Sequence, residues 1–163
     1  MKRELKPYAA IGRMRFEPGL TTARELFEYI ADVDKFYDWF NFFPHTWMDS
    51  KDKKYGVGFV TTCRVIFPPM TYSFYITKIS DDLTKIYFDI KGWMNGDGMW
   101  EFKEDENGTE IIHIMNLTGM NPFMHHYFKI VKLGHDVYFP WRMKILKKKL
   151  EENRRREKQG EMK

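Results

Sequence analysis

The sequence contains very little cysteine and no long apolar segment. Cys63 is the single cysteine, which excludes an internal disulfide and a cysteine-based zinc site. No apolar run approaches the ~20 residues that a membrane-spanning helix needs. The opening residues, MKRELKPYAAIGRMRF, lack the apolar block of about 7–15 residues that marks a secretory signal peptide. We therefore expect a protein of the reducing cytoplasm.

Excess charge of one sign is confined to a single segment. The formal net charge is +4, and residues 147–158, KKKLEENRRREK, hold seven Lys/Arg and three Glu, a local sum of +4. The rest of the chain is neutral overall, so we expect no nucleic-acid partner. We interpret Lys147–Lys158 as a solvated helix end with i,i+4 ion pairs. A transient contact of this segment with an anionic membrane is the competing hypothesis.

Aromatic residues, in contrast, are abundant. They make up 17% of the chain, and seven of the twelve residues in FYDWFNFFPHTW, residues 36–47, are aromatic. At roughly 150 Å² per ring, seven rings carry about 1,000 Å². The largest apolar patch on an ordinary monomer is ~300–600 Å². Most of these rings must therefore be covered by the protein core, by a ligand or by a partner.

The first part of the chain predicts a strand followed by two short helices. Residues 8–16 alternate as a strand does, and Pro18-Gly19 ends it. Thr22 and Glu25 have the spacing of a capping box at the start of a helix. Asp34 is the expected cap of a second short helix that ends before Pro44.

The remainder predicts an antiparallel sheet and a long helix. Apolar residues alternate with period two in six segments, near 45–50, 56–67, 70–80, 85–94, 98–104 and 109–119. The helical period returns after Gly119, with a helix near 122–133 and an interruption at Gly134. A long helix then runs from about Asp136 to Lys158, with Pro140 in its first turn.

Alternation also predicts which faces of the strands are buried. Charged side chains turn outward, so the inward set is Ile86, Phe88, Ile90, Trp100, Phe102, Ile111, His113, Met115 and Leu117. The DENG loop at 105–108 pairs Phe102 with Ile111. A bulged three-residue turn at Asn95–Asp97 would pair Ile90 with Phe102. Strand 70–80 remains ambiguous, because aromatic residues occupy both of its faces.

Three stretches resemble one known family. TARELFEYIADVDKFYDWF, GVGF at 56–59 and GDGMWEFKEDENGTEIIHIMNLTG are similar to the opening helices, the third strand and the G-x-W-x-F…G-T-E hairpin of the START-like, or Bet v 1-like, helix-grip superfamily (SRPBCC). The resemblance covers most of residues 8–157. It is closest to the polyketide cyclase/dehydrase and lipid-transport branch. The stretch NPFMHHYFKIVKLGHDVYF departs from that branch by being bulkier and richer in histidine.

The resemblance implies an α+β helix-grip fold. A curved antiparallel sheet of about six to seven strands would wrap around a long C-terminal helix, with two short helices after the first strand. We expect a single domain over residues 1–158 and a disordered tail at 159–163. One helix cannot fill the space under so curved a sheet, so a cavity is expected there.

The function that this resemblance implies is the binding or transport of a hydrophobic small molecule, such as a lipid, an isoprenoid or a polyketide-like compound. We expect no cofactor and no metal. The expected ligand-binding residues are apolar and aromatic apart from one histidine: Phe40, Phe43, Trp47, Phe59, Phe88, Trp100, His113, Met115, Phe139 and Met143. For the aromatic cluster at 36–47, ordinary core packing is the alternative, and it is favoured for Phe36 and Trp39.

Two other functions stay open at this point. A cyclase- or dehydratase-type enzyme would use general acid/base chemistry, with His113 as its candidate catalytic residue. A satisfied core histidine is the alternative for that position. An interaction protein would use the basic C-terminal helix. His125, His126 and His135 form no recognisable metal motif, and Cys63 is expected to be a buried apolar residue and not a nucleophile.

Overall fold

The computed structural model describes residues 6–52, 54–67 and 69–160. They form seven strands and three helices in the predicted order: β1 (Tyr8–Phe16), α1 (Ala23–Ala31), α2 (Val33–Phe40), β2 (Thr46–Asp49), β3 (Val60–Val65), β4 (Met70–Ile79), β5 (Lys85–Gly92), β6 (Met94–Asp105), β7 (Gly108–Gly119) and α3 (Pro122–Lys158). All seven strands belong to one antiparallel sheet in the order β1-β7-β6-β5-β4-β3-β2. The α+β prediction is confirmed.

The two short helices begin where local hydrogen bonding favours a start. The Thr22 hydroxyl accepts from the Glu25 amide, and the Glu25 carboxylate accepts from the Thr22 amide, as the capping box predicts. The cap of α2 is Asp32 and not Asp34, because the Asp32 carboxylate accepts from the Lys35 amide. The carboxylate of Glu104, at the end of β6, accepts from the Ala23 amide and so holds the start of α1.

The C-terminal segment is one helix of 37 residues, about 55 Å long. The predicted break at Gly134 is wrong, and Pro140 lies inside the helix and not in its first turn. Tertiary packing outweighs both local signals, because residues on either side of them are buried. These are Phe128, Phe139, Met143, Leu146 and Leu150.

The hairpin between β5 and β6 has a different register from the predicted one. Ile90 pairs with Gly96 and not with Phe102, and the chain reverses at Gly92–Met94 and not at Asn95–Asp97. The shift is even, so the predicted inward faces are unchanged. Close packing at Gly98 explains the pairing, since a Cβ there would lie 2.5 Å from the Phe88 ring.

The other predicted pairings agree with the sheet. Phe102 pairs with Ile111 across the β6–β7 hairpin. The ambiguity of β4 is resolved, because Tyr72 and Ile76 are buried while Tyr75 faces outward beneath the Lys91 ammonium group.

Some sequence expectations concern residues outside the described ranges. Residues 1–5, Pro68 of the predicted Pro68–Pro69 turn, and 161–163 of the expected tail lie outside them. Within the tail, Gln159 is the C-cap of α3. No helix among the described residues is long and apolar enough to cross a membrane.

Candidate ligand-binding cavity

A cavity of about 370 Å³ lies between the inner face of the sheet and α3. This volume falls within the range of about 300–1,000 Å³ that is typical of small-molecule sites. Every element from the end of α2 to α3, except β5, contributes to its walls. The lining residues are Phe40, Phe42, His45, Thr46, Cys63, Val65, Phe67, Met70, Tyr72, Phe74, Met94, His113, Met115, Leu117, Phe128, Gly134, His135, Val137, Tyr138, Phe139 and Trp141, and none of them is Asp, Glu, Lys or Arg.

A second, smaller cavity of about 40 Å³ lies under α1 and α2. Its walls are also apolar, and they include Phe59, Phe88 and Trp100. Phe40 and His113 line both cavities. His113 therefore lies at the boundary between the two spaces.

The structure brings most of the predicted site residues together. Phe40, His113, Met115 and Phe139 line the large cavity. The buried Met143 lines neither cavity, because it packs in the core on the far side of Phe139 in the helix.

Phe43 and Trp47 lie outside both cavities, which corrects their predicted role as a wall and gate. Phe43 is 75% exposed and contacts Trp47 edge-on. The reason is strand parity, since Thr46 and Met48 of β2 are buried and Trp47 between them turns outward. Phe42 takes the place expected of Phe43, with its ring 4.9 Å from that of Trp141.

Four rings form a compact cluster beside the cavity. His113 of β7 stacks on Trp100 of β6, with ring centroids 4.0 Å apart and planes at 23°. The Phe139 ring of α3 lies 5.1 Å from that of His113, 5.8 Å from that of Trp100 and 5.4 Å from that of His135. Gly12 permits this packing, because a Cβ there would lie 2.2 Å from the Phe139 ring.

His135 is a site residue that the sequence interpretation missed. It lies one helical turn before Phe139 and lines the large cavity. The ring centroids of His113 and His135 are 5.9 Å apart. His135 lies four residues before Phe139, a spacing that places both side chains on one face of a helix. The sequence analysis missed this because it began the long helix at about Asp136 and so left His135 outside it.

Burial favours the neutral form of His113, His135 and Cys63 in the cavity. Burial lowers the pKa of His113 well below its usual value, and the neighbouring His135 lowers it further. Burial also lowers the pKa of His135, against the opposing effect of Asp136. The pKa of the Cys63 thiol rises to about 12 for the same reason. Cys63 is thus a poor nucleophile, as the sequence predicts.

The cavity opens at four exposed apolar side chains, here called the rim: Phe42, Phe67, Val137 and Trp141. They are 45%, 76%, 74% and 40% exposed, and all four line the large cavity. The hydroxyl of Tyr127 donates to the carbonyl of Pro69, which ties the first turns of α3 to the β3–β4 turn. The rim therefore joins three segments that are distant in the sequence.

The cations of the basic segment Lys147–Lys158 form ion pairs mainly with acidic residues outside the segment. Lys149 pairs with Asp38 at 2.6 Å, Lys147 pairs with Glu17, and Arg154 pairs with Glu25 at 2.6 Å. Among the predicted i,i+4 pairs, Lys148–Glu152 is present at 3.9 Å. Its cations thus help to fix α3 against β1, α1 and α2. Within the described residues, no group of three or more His, Cys, Asp or Glu could hold a metal ion.

Comparison with known proteins places this geometry among solved folds. No protein-family model and no curated protein matches the sequence. Protein Ms6760 from Mycobacterium smegmatis is similar in structure, with a TM-score of 0.64, 11% identity, and coverage of 90% of this chain and 92% of that one. Ginseng major latex-like protein 151 from Panax ginseng has a TM-score of 0.53 and 11% identity, over 82% of this chain and 96% of its own.

A third similar structure is the di-domain ARO/CYC protein BexL from the BE-7585A biosynthetic pathway. It has a TM-score of 0.58 and 14% identity, over 88% of this chain and 46% of BexL. The chain has the helix-grip fold. The fold that the sequence resemblance implies is therefore confirmed. In this fold α3 is the long helix that packs against the sheet, and the cavity lies between α3 and the sheet.

Proposed function

We propose that the protein binds and transports a hydrophobic small molecule, such as a lipid, an isoprenoid or a polyketide-like compound. The observation that carries this proposal is the cavity of about 370 Å³ without a charged lining residue. Water gains few hydrogen bonds in such a space, whereas an apolar solute gains contacts with aromatic and aliphatic walls. The helix-grip fold supports the proposal, because a sheet that curves around a single helix leaves space between them that a ligand can occupy.

Displacement of the neutral dye Nile red by fatty acids, fatty alcohols and isoprenoids tests the proposal, together with native mass spectrometry of the purified chain. Val65 lines the cavity, so Val65→Trp should fill part of it and weaken binding at least about tenfold. Ile66→Trp is the matched control, because Ile66 is 53% exposed and does not line the cavity. The absence of saturable dye binding and of any copurified compound in the wild-type protein would contradict the proposal.

The enzymatic alternative has one observation in its favour, which is that His113 and His135 both line the cavity. A general base works best with a pKa near the operating pH. Burial moves the pKa of both histidines away from that value. In addition, no carboxylate lines the cavity to orient either imidazole. These features favour binding over catalysis.

A ligand transporter also needs a place to exchange its ligand, and the rim suits a membrane surface. Residues 40–48 and 65–74 contain no Asp, Glu, Lys or Arg. In α3, the residues before Arg142 include Lys129 and Lys132 but only one acidic residue, Asp136. Apolar and aromatic side chains flanked by lysines favour the interface of an anionic bilayer. We therefore propose membrane contact through the rim as an alternative to the contact hypothesised for Lys147–Lys158.

A further inference from the structure

Two histidines in the large cavity have unmet hydrogen-bonding groups. Nδ1 of His113 and both ring nitrogens of His135 are buried without a hydrogen-bond partner among the described residues. The nearest carboxylate oxygen to His135 is Oδ1 of Asp136, 3.6 Å from Nδ1 and too distant for a hydrogen bond. These three atoms make up the majority of the five such side-chain atoms found in the described part of the chain.

Unpartnered buried polar atoms destabilise a folded protein, so each of them calls for an explanation. His113 is only 4% exposed, and it lies in the middle of β7 among apolar neighbours. An apolar residue would fit that environment at no such cost. The concentration of unmet groups on two residues that line the same cavity indicates that a ligand satisfies them.

The cluster of rings holds both imidazoles in a defined orientation. His113 packs against Trp100 and Phe139, which also contact each other, and Phe139 packs against His135. Neither imidazole can rotate far without separating these rings. The two side chains are thus pre-organised, which lowers the entropy cost of binding a ligand atom at this position.

We infer that His113 and His135 form a polar anchor for the uncharged oxygen head group, an alcohol, a phenol or a ketone, of an otherwise apolar ligand. This inference rests on the proposed function, since it names the class of ligand that the same cavity takes. A neutral imidazole offers one donor and one acceptor. The pair can therefore both donate to and accept from a hydroxyl group.

The charge distribution around the cavity excludes a carboxylate head group. No lysine or arginine lines the cavity. The buried Arg142 lies on the same helix, but it donates to the carbonyl oxygens of Trp39 and Asn41. Burial favours the neutral form of both imidazoles by lowering their pKa values. A carboxylate would lose its hydration here without gaining a cation.

Three probes with the same apolar body test the anchor by isothermal titration calorimetry at neutral pH. They are 4-hexylphenol, 4-hexylbenzoate and hexylbenzene, which carry a neutral hydroxyl group, a charge and no head group. In the wild-type protein we expect the phenol to bind at least about tenfold tighter than either of the others. In His113→Phe and His135→Phe, the phenol should lose this advantage while hexylbenzene binds as before. His126→Phe is the control, because His126 is exposed and lies outside the cavity.

The outcomes separate the anchor from the proposed function. If all three probes bind with equal affinity, or the benzoate binds best, the anchor is wrong and ligand binding stands. If none binds, both ideas fail together. Imidazole ¹⁵N chemical shifts of the wild-type protein provide a measurement that needs no variant. Titration with 4-hexylphenol should shift the signals of His113 and His135 and leave that of His126 unchanged, and unchanged signals at the first two would overturn the anchor.

Discussion

Single residues decide the polarity of the cavity, and His113 matters most among them. Its inward orientation was predicted from alternation along β7 and is confirmed, since it is 4% exposed. Its contact with Trp100 follows from the predicted pairing of Phe102 with Ile111, whereas its contacts with Phe139 and His135 depend on how α3 packs against the sheet. The alternative of a satisfied core histidine does not apply to Nδ1, which has no partner among the described residues.

The burial of His113 predicts a dependence of stability on pH. The unfolded chain binds a proton at this histidine near its usual pKa of about 6.5, whereas the folded chain does so only at lower pH. The free energy of unfolding should therefore fall as the pH drops below about 6.5. The titratable groups that line the cavity with His113 are His45, Cys63, Tyr72, His135 and Tyr138.

Urea unfolding at about pH 7.5 and about pH 5 measures this effect. We expect His113→Phe to lose less stability over that interval than the wild-type protein, by about 1–2 kcal/mol. His126→Phe, at an exposed position, should lose as much as the wild type. Equal losses in all three proteins would show that His113 titrates normally in the folded state.

At the level of elements, α3 stabilises the end of α2. Arg142 donates to the carbonyl oxygens of Trp39 and Asn41, and the Tyr138 hydroxyl donates to that of Phe40 at 2.6 Å. These carbonyls belong to the last turn of α2, where the helix has no partners of its own. A cation near a helix C-terminus also interacts favourably with the helix dipole. The two contacts fix the position of Phe40 and Phe42 beside the cavity.

Removal of the Arg142 guanidinium group tests this coupling. Arg142→Met keeps most of the side-chain volume but removes the guanidinium donors to the carbonyl oxygens of Trp39 and Asn41. We expect a loss of about 2–3 kcal/mol in the free energy of unfolding, measured with urea. Arg155→Met, at an exposed position on the same helix, should change stability by less than about 0.5 kcal/mol. A similar small change in Arg142→Met would show that the last turn of α2 does not depend on α3.

For the molecule as a whole, the rim should direct the protein to membranes. The test is cosedimentation with vesicles of phosphatidylcholine and phosphatidylglycerol. Phe67→Ser and Val137→Ser should each weaken binding about threefold or more, because each removes an exposed apolar side chain from the rim. Val57→Ser is the matched control, since Val57 is 69% exposed but precedes β3 at the end opposite to Phe67.

The same assay distinguishes the rim from the basic segment. In Arg155→Gln/Arg156→Gln, two exposed cations of that segment are removed. We expect this variant to bind vesicles nearly as well as the wild type. Loss of binding in this variant, with normal binding in Phe67→Ser and Val137→Ser, would show that the membrane contact lies in the basic segment and not at the rim.

Local sequence patterns are sufficient to predict most of the strands and which of their faces are buried. The bounds of β1, the capping box of α1 and the inward set of β5 to β7 follow from patterns of two to four residues. Such patterns record whether a side chain meets water or the core, which is a local property. The same patterns predict an antiparallel sheet and a long helix, and the resemblance of three stretches to the START-like superfamily implied the helix-grip fold.

The way in which distant segments of the chain meet depends on tertiary packing. The β5–β6 register, the continuity of α3, the outward turn of Phe43 and Trp47, and the meeting of His113 with His135 all depend on contacts between residues far apart in the chain. A local pattern is unchanged when a strand slips by an even number of residues or when a helix continues through a glycine. Packing distinguishes these alternatives, because Phe88 packs closely over Gly98 and Phe139 over Gly12, where a Cβ would clash with either ring.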